Sequence, residues 1–181
     1  MQTITILFMA LLFGQGMPEK IDFGKRVSAP GWQVINDGVM GGLSYGDVNF
    51  TSNSVRFFGR VSLANNGGFA SFRSPYGRID LSGYSSIRFR VRGEGIRCAF
   101  TLETDRRFWM PNYKHQLKLE NEGWQIIELS LADFKQYRLG RPTGRALLTE
   151  TKSEIIRMGW ITDEKREGPF SLEIDYVEFI P

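Results

Sequence analysis

Tyr84-Ser85-Ser86-Ile87-Arg88-Phe89-Arg90-Val91-Arg92-Gly93-Glu94-Gly95 alternates apolar and charged residues with a period of two. A β-strand points successive side chains to opposite faces, so this spacing sets Ile87, Phe89 and Val91 toward a core and Arg88, Arg90 and Arg92 toward solvent. Gly93-Glu94-Gly95 then reads as a turn into a second strand over Ile96–Thr104, forming a hairpin. The same pattern recurs upstream, where Val55, Phe57, Gly59, Val61 and Leu63 share one face and Arg56, Phe58, Arg60 and Ser62 the other. Asn65-Asn66-Gly67-Gly68 tolerates positive φ and predicts a reversal into Phe69–Arg73 as another hairpin. Further strands are predicted over 113–119, 124–129, 155–161 and 170–180, a helical turn over 131–134, and a loop over Gly140–Gly144. No helical period competes with this pattern. Many short strands with regular turn signals predict an all-β, two-sheet antiparallel β-sandwich in one domain spanning 18–181.

Composition supports that reading and excludes several functions. Of 181 residues, 41% are hydrophobic and 13% aromatic, with 14 Phe and 4 Trp, which is enough to build a core. The 23 basic and 20 acidic residues leave a net charge of +3, too balanced for the overall basic signature of a nucleic-acid binder. Cys98 is the only cysteine and His115 the only histidine, so neither an intrachain disulfide nor a Cys/His zinc site is expected. Cys98 alternates with Ala99 and Thr101 as a buried strand residue does. No phosphate-binding glycine loop or nucleophile elbow is present, nothing fixes paired carboxylates such as Glu103 and Asp105 at a separation suited to glycoside hydrolysis, and a hydrolase built on His115 is the weakest reading. The chain is therefore expected to be non-enzymatic and to need no cofactor. Thr3–Phe13 is apolar and uncharged but too short to span a bilayer, which takes about 20 residues. Residues 1–17 read as a secretory signal or as sequence ahead of a start at Met17, and export is favoured over a cytoplasmic location.

Three segments are candidates for structure or binding. Asn36-Asp37-Gly38-Val39-Met40-Gly41-Gly42-Leu43-Ser44 predicts a constrained turn with Asp37 as its anchor; Gly38, Gly41 and Gly42 give it backbone freedom, and Asn66, Gly67 and Gly68 do the same downstream. Asp47 is the nearest second carboxylate, too little for a cation shell, so no metal is expected. Arg88, Arg90 and Arg92 present planar donors suited to hydroxyl-rich or carboxylate ligands, with Glu103, Glu128, Glu173 and Asp175 as the carboxylates able to neutralise them. Asp105–Tyr113 concentrates basic and aromatic residues in a loop, with Phe108, Trp109 and Tyr113 as candidates for stacking on a sugar or anchoring a protein. Trp32, Trp124 and Trp160 fit strand alternation as core residues.

The run Trp32–Ser44, followed in order by Phe58–Leu63, Asn65–Ser71, Val91–Gly95, Trp124-Gln125 and Gly168–Ile174, resembles the complex I intermediate-associated protein 30 family from Asp22 to Ile180. The resemblance implies a galactose-binding-type jelly roll. It also implies an assembly-factor or chaperone role toward a protein partner, such as a membrane complex under assembly. The fold it implies is shared with carbohydrate-binding modules, so a glycan is the alternative partner. Nucleic acid and a transmembrane span are not expected.

Overall fold

The computed structural model describes residues 19–24, 31–95, 97–119, 122–163 and 165–181. The apolar run at the N-terminus, with the leader or alternative start read there, lies outside the described residues. Thirteen strands are described, paired in two antiparallel sheets. The first contains β3 (Tyr45–Phe50), β4 (Val55–Val61), β13 (Gly168–Ile180), β6 (Ser86–Gly95) and β9 (Gln125–Ser130) in that spatial order. The long β13 pairs β4 along its first half and β1 (Lys20–Asp22) along its second. The second sheet runs β11 (Arg141–Ala146), β10 (Lys135–Arg138), β8 (Asn112–Gln116), β7 (Cys98–Glu103), β12 (Arg157–Thr162), β5 (Ala70–Arg73) and β2 (Gln33–Asn36).

The inner faces close over an aromatic core. Trp160 is fully buried, with Phe100 at 5.1 Å, Trp32 at 5.5 Å, and Phe23 and Phe89 each at 5.8 Å between ring centroids. Such edge and tilted contacts add to the gain from burying large rings and fix their mutual geometry. Val55, Phe57 and Val61 on β4, and Ile87, Phe89 and Val91 on β6, are all inward and fully buried, as the alternation requires.

Both predicted hairpins are instead arches between the sheets. β4 lies in the first sheet and β5 in the second, and β6 and β7 are divided in the same way. Asn65, Asn66 and Gly68, with φ of 54°, 59° and 135°, carry the chain across rather than back alongside. The arch lets the apolar faces of consecutive strands meet: Phe57 and Phe72 stack at 6.1 Å across the core. A hairpin would have set them side by side in one sheet. Gly93-Glu94-Gly95 is not a turn but the end of β6, paired with Leu172, Ser171 and Phe170. A Cβ on Gly95 would fall 2.4 Å from the Pro169 oxygen, so glycine serves strand approach there.

The loop predicted over Gly140–Gly144 is a second departure. It is a β-ribbon in which Leu139 and Gly140, both at positive φ, form a two-residue turn between β10 and β11. The short 3₁₀ turn Leu131–Asp133 agrees with the helical turn read from sequence.

Candidate functional site

Asp37 opens a 3₁₀ turn, Asp37–Met40, directly after β2 and is almost completely buried. Its Oδ1 accepts the Ser44 amide at 2.9 Å. Its Oδ2 accepts the Ser44 hydroxyl at 2.5 Å and the amides of Gly68 and Phe69 at 2.6 and 3.1 Å. One carboxylate thus ties the signature turn to the β4–β5 arch. Burial pushes its pKa up, but the Ser44 hydroxyl and the amides of Gly68, Phe69 and Ser44 outweigh that and hold it below the ordinary value. The surrounding glycines are there for contact: a Cβ on Gly42 would lie 2.4 Å from the Asp37 carboxylate and one on Gly67 2.6 Å from its Oδ2. Gly41, at φ 87°, closes the turn. Gly38 is a correction, because a Cβ there meets nothing within 4 Å and its φ is not positive. Asp47 lies apart on β3, where its carboxylate accepts the Tyr45 hydroxyl and the Val48 amide. Among the described residues no three His, Cys, Asp or Glu side chains group around a metal site.

What sequence reasoning missed is the outside of this knot. Val39, Met40 and Leu43 are 75, 64 and 63% exposed, and Tyr45 and Leu63 join them as exposed large side chains. Asn65 Nδ2 donates to the Gly41 oxygen at 3.3 Å, and Ser44 Oγ bridges to Ser62, so the two loops that carry these side chains are tied together. The signal available was an apolar Val-Met and Leu inside a glycine-rich turn, where alternation gives no inward face for them.

Arg88, Arg90 and Arg92 do point outward from β6, and the structure supplies their partners. Arg88 pairs with Glu128 at 3.0 Å and Glu178 at 3.3 Å, Arg90 with Asp175 and Arg92 with Glu173 at 2.6 Å. Glu128, Glu173 and Asp175 were legible as partners; Glu103 was not one, since it lies on the other sheet and binds Arg73 at 2.7 Å. Trp124 is a second correction: its ring lies 4.6 and 4.9 Å from the Arg90 and Arg92 guanidinium carbons on this outer face, not in the core. The arginine face is a self-neutralised ladder.

The Asp105–Tyr113 loop divides. Tyr113 is buried in the core, with its hydroxyl accepting from Gln136 Nε2 at 3.1 Å, so it is not a surface residue. Phe108 and Trp109 are exposed and pack edge to face at 5.2 Å. Asp105 accepts the Arg107 guanidinium and amide, which holds its pKa far below the usual carboxylate range. Arg138 Nε donates to the Trp109 oxygen at 3.2 Å, joining this loop to the β10–β11 ribbon.

On the second sheet, the outer face is floored by the small residues Ser71, Ala99, Thr101 and Gly159. At one end Arg157 donates to the Tyr76 hydroxyl at 2.9 Å and lies over its ring, with Arg106 on the same ring. Lys114 pairs with Asp163 at 2.7 Å further along. Cys98 is buried, and burial followed by the Asp163 charge pushes its thiol up to about 12. His115 packs at a tilt against Phe134, with ring centroids 5.5 Å apart, and its Nδ1 lies at the Gln116 oxygen. A cleft of about 460 Å³ opens beside Gly93–Gly95, where Glu94 and Glu122 stand among Arg97, Lys118 and Arg166, so its charges are mixed.

The family model for complex I intermediate-associated protein 30 matches residues 21–174, a span that includes the Asp37 knot and both of the loops it joins. The chain belongs to this family. No curated protein sequence matches it. Among solved structures, the family 11 carbohydrate-binding module of the cellulosomal cellulase Lic26A-Cel5E of Clostridium thermocellum is similar at TM-score 0.60 and 13% identity, over 83% of this chain and 87% of that one. A family 11 module of the same organism, in complex with a β-1,3-1,4-mixed-linked tetrasaccharide, gives 0.54 and 14%, over 83% and 89%. An exo-β-agarase gives 0.56 and 10%, over 89% of this chain and 25% of that one. At these identities the likeness concerns the fold: the complex I intermediate-associated domain is a β-sandwich of the carbohydrate-binding-module kind.

Proposed function

We propose that this chain is a non-catalytic protein-docking module of assembly-factor type, and that the apolar rim carried by the Asp37 knot is its docking surface. The observation that carries this reading is the exposure of Val39, Met40 and Leu43 on a turn held by four hydrogen bonds to one buried carboxylate. Contiguous exposed apolar side chains are costly to leave in water and mark interaction surfaces. Holding them on a rigid turn lowers the ordering cost of binding. Affinity capture from the native host should retain a defined protein partner with the wild-type chain and lose it with Met40→Glu and Leu43→Glu, at unchanged melting temperature. Retention of the same partner by both variants would refute the reading.

A glycan is the second reading. It is supported by the exposed indole of Trp109 in the loop between β7 and β8. Saturable binding in a glycan screen, weakened by Trp109→Ala, is its expected result. Both readings accommodate an exported protein. No helix of the described residues is long and apolar enough to cross a membrane.

A further inference from the structure

The β10–β11 ribbon carries Lys135, Arg138, Arg141 and Arg145 and not one Asp or Glu between residues 135 and 146. All four are exposed. None has a carboxylate within ion-pair distance among the described residues. Arg138 and Arg141 stand directly opposite each other across the ladder, at either side of the Leu139-Gly140 turn. Like charges in that position repel, so the fold alone gives no reason for them. β11 is an edge strand, and guarding an edge against pairing accounts for Pro142 and for one charge. It does not account for two facing arginines, nor for what surrounds them. Leu139 at the turn is 62% exposed and Phe108 71%, and Trp109 is tied to Arg138 through its carbonyl.

Cations without a carboxylate partner among the described residues, next to exposed aliphatic and aromatic tips, describe a surface for an anionic interface with an apolar interior. We infer that the ribbon tip and the Phe108-Trp109 loop together form a docking site for an anionic phospholipid bilayer. Phosphate headgroups neutralise Arg138 and Arg141, while Leu139 and Phe108 enter the acyl boundary and Trp109 lies at headgroup level, where indole rings concentrate. A nucleic-acid strand would satisfy the cations but leave Leu139 in water. The edge-to-face packing of Phe108 on Trp109, at 87°, also offers a wedge rather than parallel platforms for bases. This site is separate from the Asp37 rim and stands or falls independently of it.

The test is co-sedimentation of the full chain with vesicles of equal parts phosphatidylcholine and phosphatidylglycerol, against vesicles of phosphatidylcholine alone. Wild-type protein is expected to partition onto the anionic vesicles at 0.1 M salt and to be released as screening increases. The double variant R141E/R145E is expected to lose roughly tenfold or more of that partition. The double variant F108S/L139S, which leaves the charges in place, is expected to lose a comparable factor and to retain the salt dependence. Absence of binding to the anionic vesicles, equal binding by R141E/R145E, or tighter binding to a single-stranded oligonucleotide than to vesicles at the same salt would each overturn the inference.

Discussion

The arginines of β6 and those of the β10–β11 ribbon are alike in sequence, both spaced along strands and both turned to solvent, yet they end in opposite electrostatic states. On β6 the neighbouring strands supply Glu128, Glu173, Asp175 and Glu178, and every guanidinium of the set is neutralised across the sheet. On the ribbon the sheet ends, β11 has no outer neighbour among the described residues, and Arg138 faces another arginine. A row of arginines therefore says little about binding until the residues at its cross-strand register are known. The interior strand turns its charges into stability, whereas the edge strand leaves them for a partner.

If charge satisfaction divides structural from functional residues, the most saturated group should give the largest loss of stability. Asp37→Asn replaces an acceptor by a donor among four hydrogen-bond donors, and breaking such a buried charged network is expected to cost about 2–4 kcal/mol. That is roughly 5–15 °C in melting temperature for a domain of this size. The pKa of Asp37 is lowered in the folded state, so its contribution is present above the unfolded value of about 4 and is lost as pH falls through the folded one. The gap between wild type and Asp37→Asn should accordingly close in acid, which thermal melts at pH 7 and pH 3 will check. A gap that widens in acid would remove Asp37 from the satisfied class.

Gly42→Ala comes next, because the added methyl falls against the Asp37 carboxylate and overpacking of this kind costs about 1–3 kcal/mol. Gly38→Ala, in the same turn with open space around it, is expected to leave the melting temperature within about 2 °C of wild type. Glu173→Gln should cost about 1 kcal/mol in denaturant unfolding, since it weakens an ion pair to Arg92 and a 2.6 Å bond from Ser54 while keeping the shape.

How far the sequence carries can be judged from these same residues. The inward faces of β4 and β6, the anchor role of Asp37 and three of the four β6 carboxylates follow from a period of two and from side-chain chemistry, which are local. Whether Asn65-Asn66-Gly67-Gly68 turns back or crosses over is decided by the Phe57 and Phe72 rings meeting across the core, 15 residues apart in the chain, and no local rule contains that. Tyr113 and Trp124 went to the wrong side for a related reason: an aromatic residue next to a turn fits either face, and only the register of β8 with β7 and the arginines beside Trp124 choose between them. The ribbon escaped notice because Gly140, Pro142 and Gly144 write a loop, while its pairing depends on positive φ at Leu139, a residue that seldom adopts it.

The smallest effect is the one that tests the comparison most directly. Replacing Arg141 and Arg145 together by Gln removes two charges that make no ion pair among the described residues and one of which faces Arg138, so folding stability should stay within about 2 °C or rise slightly as repulsion is relieved. The matched change on the other sheet, Arg88 and Arg92 together to Gln, strands Glu128 and Glu173 and should lower the melting temperature measurably. Side-by-side thermal melts of the two double variants read this difference without reference to any ligand. Equal losses would mean that the ribbon arginines are held by the fold after all; a neutral ribbon beside a weakened ladder leaves the ribbon's charge to be explained by what it meets outside the molecule.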